Sequence, residues 1–196
     1  MNKKENFSVF LVLGPPGSGK GTQIKLLSGK LGFLHFISSE VGKEYIKTHN
    51  DPETLRQKER YDSGLLFEPE WMFWVVKEKT EEIFNDKDNC KGIIYDGSPR
   101  TLYEAENLYD FLVNLAGKEN IKIIEIDANE EELRKRIKKR KRDLDKEEIF
   151  NVRIRVYKEE TLPGLEFLKK KHGVIIINGE QSIEKVHENI LNSLNL

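Results

Sequence analysis

The sequence predicts a three-layer α/β fold, a parallel five-stranded sheet covered by helices on both faces, and three observations predict it. Five short apolar runs are separated by helical stretches, so strand and helix alternate and the strands should run parallel. A glycine-rich loop follows the first run and opens the first helix. The third and fourth runs each end in an aspartate, on the edge where such sheets bind ligands.

Taken in order, Phe7 to Leu13 is apolar enough for a strand buried on both faces. Gly14-Pro15-Pro16-Gly17-Ser18-Gly19-Lys20-Gly21-Thr22-Gln23 comes next, and Ile24 to Leu27 starts a helix with Gly29 and Gly32 as stop signals. Strand, glycine loop and helix in that order form a phosphate cradle. Glycines let successive N–H groups point inward, the helix N-terminus adds partial positive charge, and Lys20 reaches toward the β- and γ-phosphates of a nucleoside triphosphate. Leu34 to Ile37 is the second strand, running into Ser38-Ser39-Glu40 as a helix N-cap. Pro69 to Phe84 carries Trp71, Phe73, Trp74, Val75 and Val76, the composition of a core-packing helix rather than a base-stacking face. Gly92 to Asp96, Ile121 to Asp127 and Val174 to Asn178 are the remaining strands. Helices are expected over Leu102 to Leu115, Leu133 to Arg142, Asp145 to Glu160 and Ser182 to Leu194, the last with Ile183, Val186 and Ile190 inside.

Bulk properties narrow the function. A chain of 196 residues with 37% hydrophobic content fits one domain with a small insertion. The 33 basic and 34 acidic residues nearly cancel, which argues against a nucleic-acid or membrane binder by net charge. No apolar run approaches the ~20 residues that span a bilayer, and Met1 to Glu5 lacks a signal-peptide core, so a cytoplasmic setting is expected. Cys90, the single cysteine, excludes an internal disulfide and a multi-cysteine zinc site.

Two further segments carry chemistry. In Tyr95-Asp96-Gly97-Ser98-Pro99-Arg100-Thr101, Asp96 stands where a hydrated magnesium is anchored, or simply caps a turn. Gly97 and Pro99 turn the chain so that Arg100 is aimed back across the site. The basic run from Leu133 to Arg142 reads either as a solvated or RNA-binding face or as a source of phosphate ligands. Arg136 and Arg140 are four apart and share a helical face, and Arg153 and Arg155 follow on the next element. Arginine forks suit the crowded oxygens of a phosphoryl transfer.

The loop Gly14-Pro15-Pro16-Gly17-Ser18-Gly19-Lys20-Gly21-Thr22 resembles that of the adenylate kinase family, Gly-x-Pro-Gly-x-Gly-Lys-Gly-Thr, and Asp96-Gly97-Ser98-Pro99-Arg100-Thr101 resembles its signature, with Ser98 where Phe is usual. The resemblance implies strand order 2-3-1-4-5, a helical acceptor-binding insertion over 38–68 and a short lid over 139–145. It implies a kinase for nucleoside monophosphates, moving the terminal phosphoryl of magnesium-bound ATP to AMP, with Mg2+ as cofactor. It implies ATP contacts from Gly17, Ser18, Gly19, Lys20, Gly21, Thr22, Arg136, Arg140, Gly179 and Gln181. Acceptor contacts fall on Ser38, Lys43, Leu66, Phe67, Gly97, Arg100, Glu104, Arg142 and Arg153. Lys20, Arg100, Arg140, Arg142 and Arg153 share the transferred charge, and Asp96 holds the metal through water. A monomer is expected. The paired aspartates that follow Arg142 in the family are broken by Leu144, and lysines replace the usual lid glycine.

Glu104 stands where the family reads acceptor adenine with a Gln. A carboxylate only accepts hydrogen bonds, so it suits the adenine N6 amine but repels the N1 lone pair, and guanine or cytosine would fit it better. Alternatively Glu104 is a solvent-facing helix residue. Three other readings stay open beside AMP kinase: the same reaction on GMP, CMP or UMP, an ATP-binding switch that has lost turnover, and RNA binding through Lys138 to Arg142.

Overall fold

The computed structural model describes residues 7–63, 65–86, 90–140 and 147–196, with Arg140 described by its backbone alone. Its sheet is built from β1 (Ser8–Leu13), β2 (Leu34–Ile37), β3 (Gly92–Asp96), β4 (Ile121–Asp127) and β5 (Ile175–Asn178), all parallel, in the order β2-β3-β1-β4-β5. This is the predicted order, with the reversal lying between β1 and its neighbours. Helices α1 (Lys20–Leu31), α2 (Ser38–Thr48), α3 (Pro52–Asp62), α4 (Pro69–Asn85), α5 (Leu102–Ala116), α6 (Glu130–Arg140), α7 (Glu147–Val156), α8 (Leu162–His172) and α9 (Ile183–Leu194) follow along the chain.

Alternation along β1 divides the core into two layers. Val9, Leu11 and Leu13 point to α4, α5 and α8, where Trp71, Leu108, Leu112 and Leu168 meet them. Phe10 and Val12 point the other way, onto Ile24 and Leu27 of α1 and Val186 and Ile190 of α9. A central strand apolar on both faces is what a sheet covered on both sides requires. A smaller cluster, Ala128, Leu133, Ile137, Phe150 and Ile154, joins α6 to α7.

Several expectations are corrected. Gly29 stops nothing: α1 runs past it to Leu31, and Gly32 terminates the helix in the left-handed conformation that glycine tolerates. Ser38 is not the cap of α2 but its first residue, because its hydroxyl is drawn to β3 carbonyls instead. Trp74 faces outward at 49% exposure, edge-on to Tyr45, while Trp71 fills the core. Ile183 lies beyond the sheet on the first turn of α9 and is 52% exposed. The helix expected to end at Glu160 is α7 up to Val156, followed by a π-turn over Tyr157–Thr161 and then α8, which the periodicity did not separate. The start of that helix at Asp145, and the lid expected over 139–145 beyond Arg140, lie outside the described residues.

Candidate active site

The carboxyl ends of β1, β3 and β4 converge on the loop after Leu13. Register brings Val12 level with Asp96 and Ile124, and Ile37 level with Asp96 from the other side. Gly14, Gly17 and Gly19 all hold positive φ, and a Cβ on Gly14 would sit 2.4 Å from the Ile126 carbonyl oxygen. Only glycine allows the chain to curl so closely over β4. Gly19 precedes α1 without a side-chain cap, so the helix presents bare N–H groups at the loop. Ser18 is buried with its hydroxyl unpartnered, and the Lys20 ammonium donates to the Pro15 carbonyl at 3.3 Å, lying back over the loop it closes.

Two expected ATP-side positions outside the loop meet it here. Arg136 on α6 points its guanidinium at the Ser18 carbonyl, 3.4 Å away, and is held from behind by Glu132 at 2.8 Å. Gly179, at the end of β5, donates to the Asp127 carbonyl at 2.7 Å, and a Cβ there would come within 3.3 Å of the Ser18 carbonyl oxygen. Gln181 diverges: its side chain accepts from Asn189 on α9. Gly17 packs against Leu133 and Ile137, so α6 is braced directly on the loop. Gly21 leaves open the space beside the Asp96 carboxylate, whose Oδ2 would lie 3.8 Å from a Cβ at that position. Thr22 is exposed on the outer side of the first turn of α1.

Several positions expected on the acceptor side cluster around the turn after β3. Ser38 donates to the carbonyls of Gly97 (2.8 Å) and Asp96 (3.2 Å). Arg100 curls back so that its Nε donates to the Gly97 carbonyl at 2.8 Å. Gly97 has φ +87, and a Cβ there would meet the Arg100 guanidinium at 2.6 Å, so glycine is required both for the turn and for room. Glu104 is 5% exposed, not solvent-facing. Its Oε2 accepts from the Arg100 backbone N–H at 3.0 Å while its own N–H donates to Thr101 Oγ1. Burial pushes the carboxyl up to about 7, against the opposing pull of Arg100 and the Ser98 hydroxyl. Phe67 stacks on Tyr61 and leans on Trp71, while Leu66 is exposed and its carbonyl accepts from Arg60. Lys43 stands on α2. It donates to Glu40 at 2.9 Å, a bond that raises its pKa, and lies over the Tyr61 ring. Arg153 stands on α7, half-buried, and Arg142 and the Arg140 side chain lie outside the described atoms.

Residue types alone missed three connections. His35 Nε2 lies 3.1 Å from Asp96 Oδ2, across the β2–β3 register and thus unreadable from sequence spacing. Glu180 clamps Asn129 through its backbone and side-chain N–H groups, tying the loop after β4 to the loop after β5. The third had a legible signal, because Thr101-x-x-Glu104 is the sequence of a capping box. Among the described residues no group of three or more His, Cys, Asp or Glu could hold a metal ion. The Asp96 carboxylate beside Gly21 is a hard oxygen donor of the kind magnesium takes together with phosphate and water oxygens.

Residues 12–173 match the family described as Adenylate kinase. An adenylate kinase of Kosmotoga olearia is 31% identical over 94% of this chain and 97% of its own length. One from Corynebacterium aurimucosum is 32% identical over 94% and 98%, and one from Petrotoga mobilis 31% identical over 94% and 96%.

Proposed function

Since this chain belongs to the adenylate kinase family, we propose that it transfers the terminal phosphoryl group of ATP to AMP across the gap between the glycine loop and the Gly97–Arg100 turn, giving two ADP. The observation that supports the reading is that two clusters of N–H and cationic donors lie at one sheet edge. One is the uncapped α1 N-terminus with Lys20 and Arg136, and the other is the turn that bears Arg100.

The acceptor phosphate is already largely ionised near neutral pH, with a second pKa of about 6, so no general base is needed. Catalysis is then a matter of holding two phosphates in line and neutralising them in a site without water. Glycine-loop N–H groups and Lys20 hold the donor phosphates, and Arg136 caps them from α6. Arg100 grips the acceptor phosphate, with Ser38 keeping the Gly97 carbonyl in place beneath it. Arg153, and by sequence likeness Arg140 and Arg142 with a short lid over 139–145, add charge from the far side. Gly179 and the backbone around Gln181 border the donor base. Residues 38–68, with Lys43, Leu66 and Phe67, form the acceptor insertion. Asp96 would hold magnesium through water, and the ion, when bound, neutralises the β- and γ-phosphate oxygens. Among the described residues no helix is long and apolar enough to cross a membrane. From the family resemblance, we place the chain in the cytoplasm as a monomer.

A panel of AMP, GMP, CMP and UMP with ATP, and identification of the products, tests the reading. ADP should form fastest with AMP. Turnover with GMP equal to or above that with AMP would move the specificity to guanine. Tight ATP binding with no diphosphate formed would leave a nucleotide-binding switch.

A further inference from the structure

The inference rests on AMP as acceptor and concerns how its base is read. Glu104 is buried at the base of the acceptor corner, one helical turn from Arg100, and one of its oxygens is engaged by the Arg100 N–H. An ionised carboxylate there has only lone pairs to offer, and adenine presents a donor at N6 beside an acceptor at N1. A neutral carboxyl carries one donor and one acceptor side by side, the complement of that edge. We propose that Glu104 reads acceptor adenine as a neutral acid. Oε1–H donates to N1, while Oε2 accepts from the N6 amine with one lone pair and keeps the Arg100 N–H with the other. AMP binding is then coupled to a proton on Glu104, and an ionised Glu104 instead favours guanine, whose N1–H and N2 amine are both donors.

The surroundings support a neutral group. Burial outweighs the three influences that favour charge, the Arg100 backbone N–H, the Arg100 guanidinium and the Ser98 hydroxyl. That guanidinium is turned onto the Gly97 carbonyl, and Ser98 is itself buried without a well-formed hydrogen bond. Other elements packed on α5 bring their charges elsewhere. From α4, Phe73 meets Tyr103 and Lys77 lies over Phe111. From α8, Gly164 abuts Thr101 and Ala105, and His172 stacks on Tyr109 under the influence of Asp110, Lys118 and Lys171. Glu125 of β4 is paired with Lys169. On the acceptor insertion, Lys43 is paired with Glu40.

The test is the KM for AMP at saturating ATP from pH 6 to 8.5, in the whole protein and in Glu104→Gln, whose amide supplies the same donor and acceptor at every pH. Dividing one profile by the other removes the titration of the AMP phosphate. The wild-type to variant ratio should rise about tenfold between pH 6 and 8. Calorimetry in two buffers at pH 8 should show close to one proton taken up per AMP in the wild type beyond that in the variant. Ser98→Ala, which removes a group favouring the charged form, should move the rise to higher pH. Parallel KM profiles, or equal proton uptake, would overturn the inference while leaving AMP as substrate. Failure of the wild type to make ADP from ATP and AMP at any pH would overturn the AMP reading, and this inference with it.

Discussion

Glu104 differs most from an ordinary helix carboxylate, and its burial has a consequence for stability separate from ligand binding. Its pKa rises from 4.5 to about 7 on folding. Below 4.5 the acid is protonated folded and unfolded alike. Between those values the unfolded chain releases a proton that the folded one retains, so stability falls as pH rises and levels off above about 7. Glu104→Gln removes that dependence and should be the more stable protein at pH 8, by on the order of 3 kcal/mol. Urea denaturation at pH 5 and pH 8 checks it: the gap between the two proteins should widen toward pH 8. Lys20 is the opposite case, a side chain lying on the loop surface and not in the core. Lys20→Met should abolish phosphoryl transfer while its unfolding free energy stays within about 0.5 kcal/mol of wild type. Substantial retained turnover would contradict its role.

At the scale of elements, α5 supports the acceptor corner because its first turn is doubly tied. Thr101 accepts the Glu104 N–H, and Glu104 accepts the Arg100 N–H that precedes the cap. Thr101→Ala should cost about 1 kcal/mol by chemical denaturation. It should also raise KM for AMP more than KM for ATP, since Arg100 rides on that turn; an equal effect on both would mean the cap serves the helix alone. Helix α6 is tied in a comparable way. Ile137 and Leu133 pack on Gly17, while Glu132 steers Arg136 over Ser18. Local signals mark other elements well: Gly32 ends α1, and proline opens α3 and α4 within the first turn. Local signals failed at the join between α7 and α8. There the chain stays helical through a π-turn, and neither glycine nor capping residue breaks the pattern.

For the whole molecule, the proposed function has one phosphate held at the glycine loop and the other at the Arg100 turn, so a ligand joining both should brace the fold. A bisubstrate analogue linking two adenosines through phosphates, present at 1,000 times its Kd, should add about 4 kcal/mol to unfolding stability. Arg100→Ala should reduce that gain, and should weaken AMP far more than ATP in direct titrations. The reverse order would exchange the two sites.

The sheet, its parallel sense and the glycine loop with Lys20 were legible because each depends on contiguous residues: apolar runs of strand length, and positive φ that glycine alone holds without strain. The Asp96–Arg100 turn was legible for the same reason. Contacts across the register were not. His35 reaches Asp96 only because β2 lies beside β3, and Ser38 turns from capping to bracing because its hydroxyl donates to the Asp96 and Gly97 carbonyls. Glu104 shows the division most clearly. Sequence could say that an acid stood in an adenine-reading position, but its protonation depends on how much water the packed chain leaves around it, and only the tertiary structure decides that.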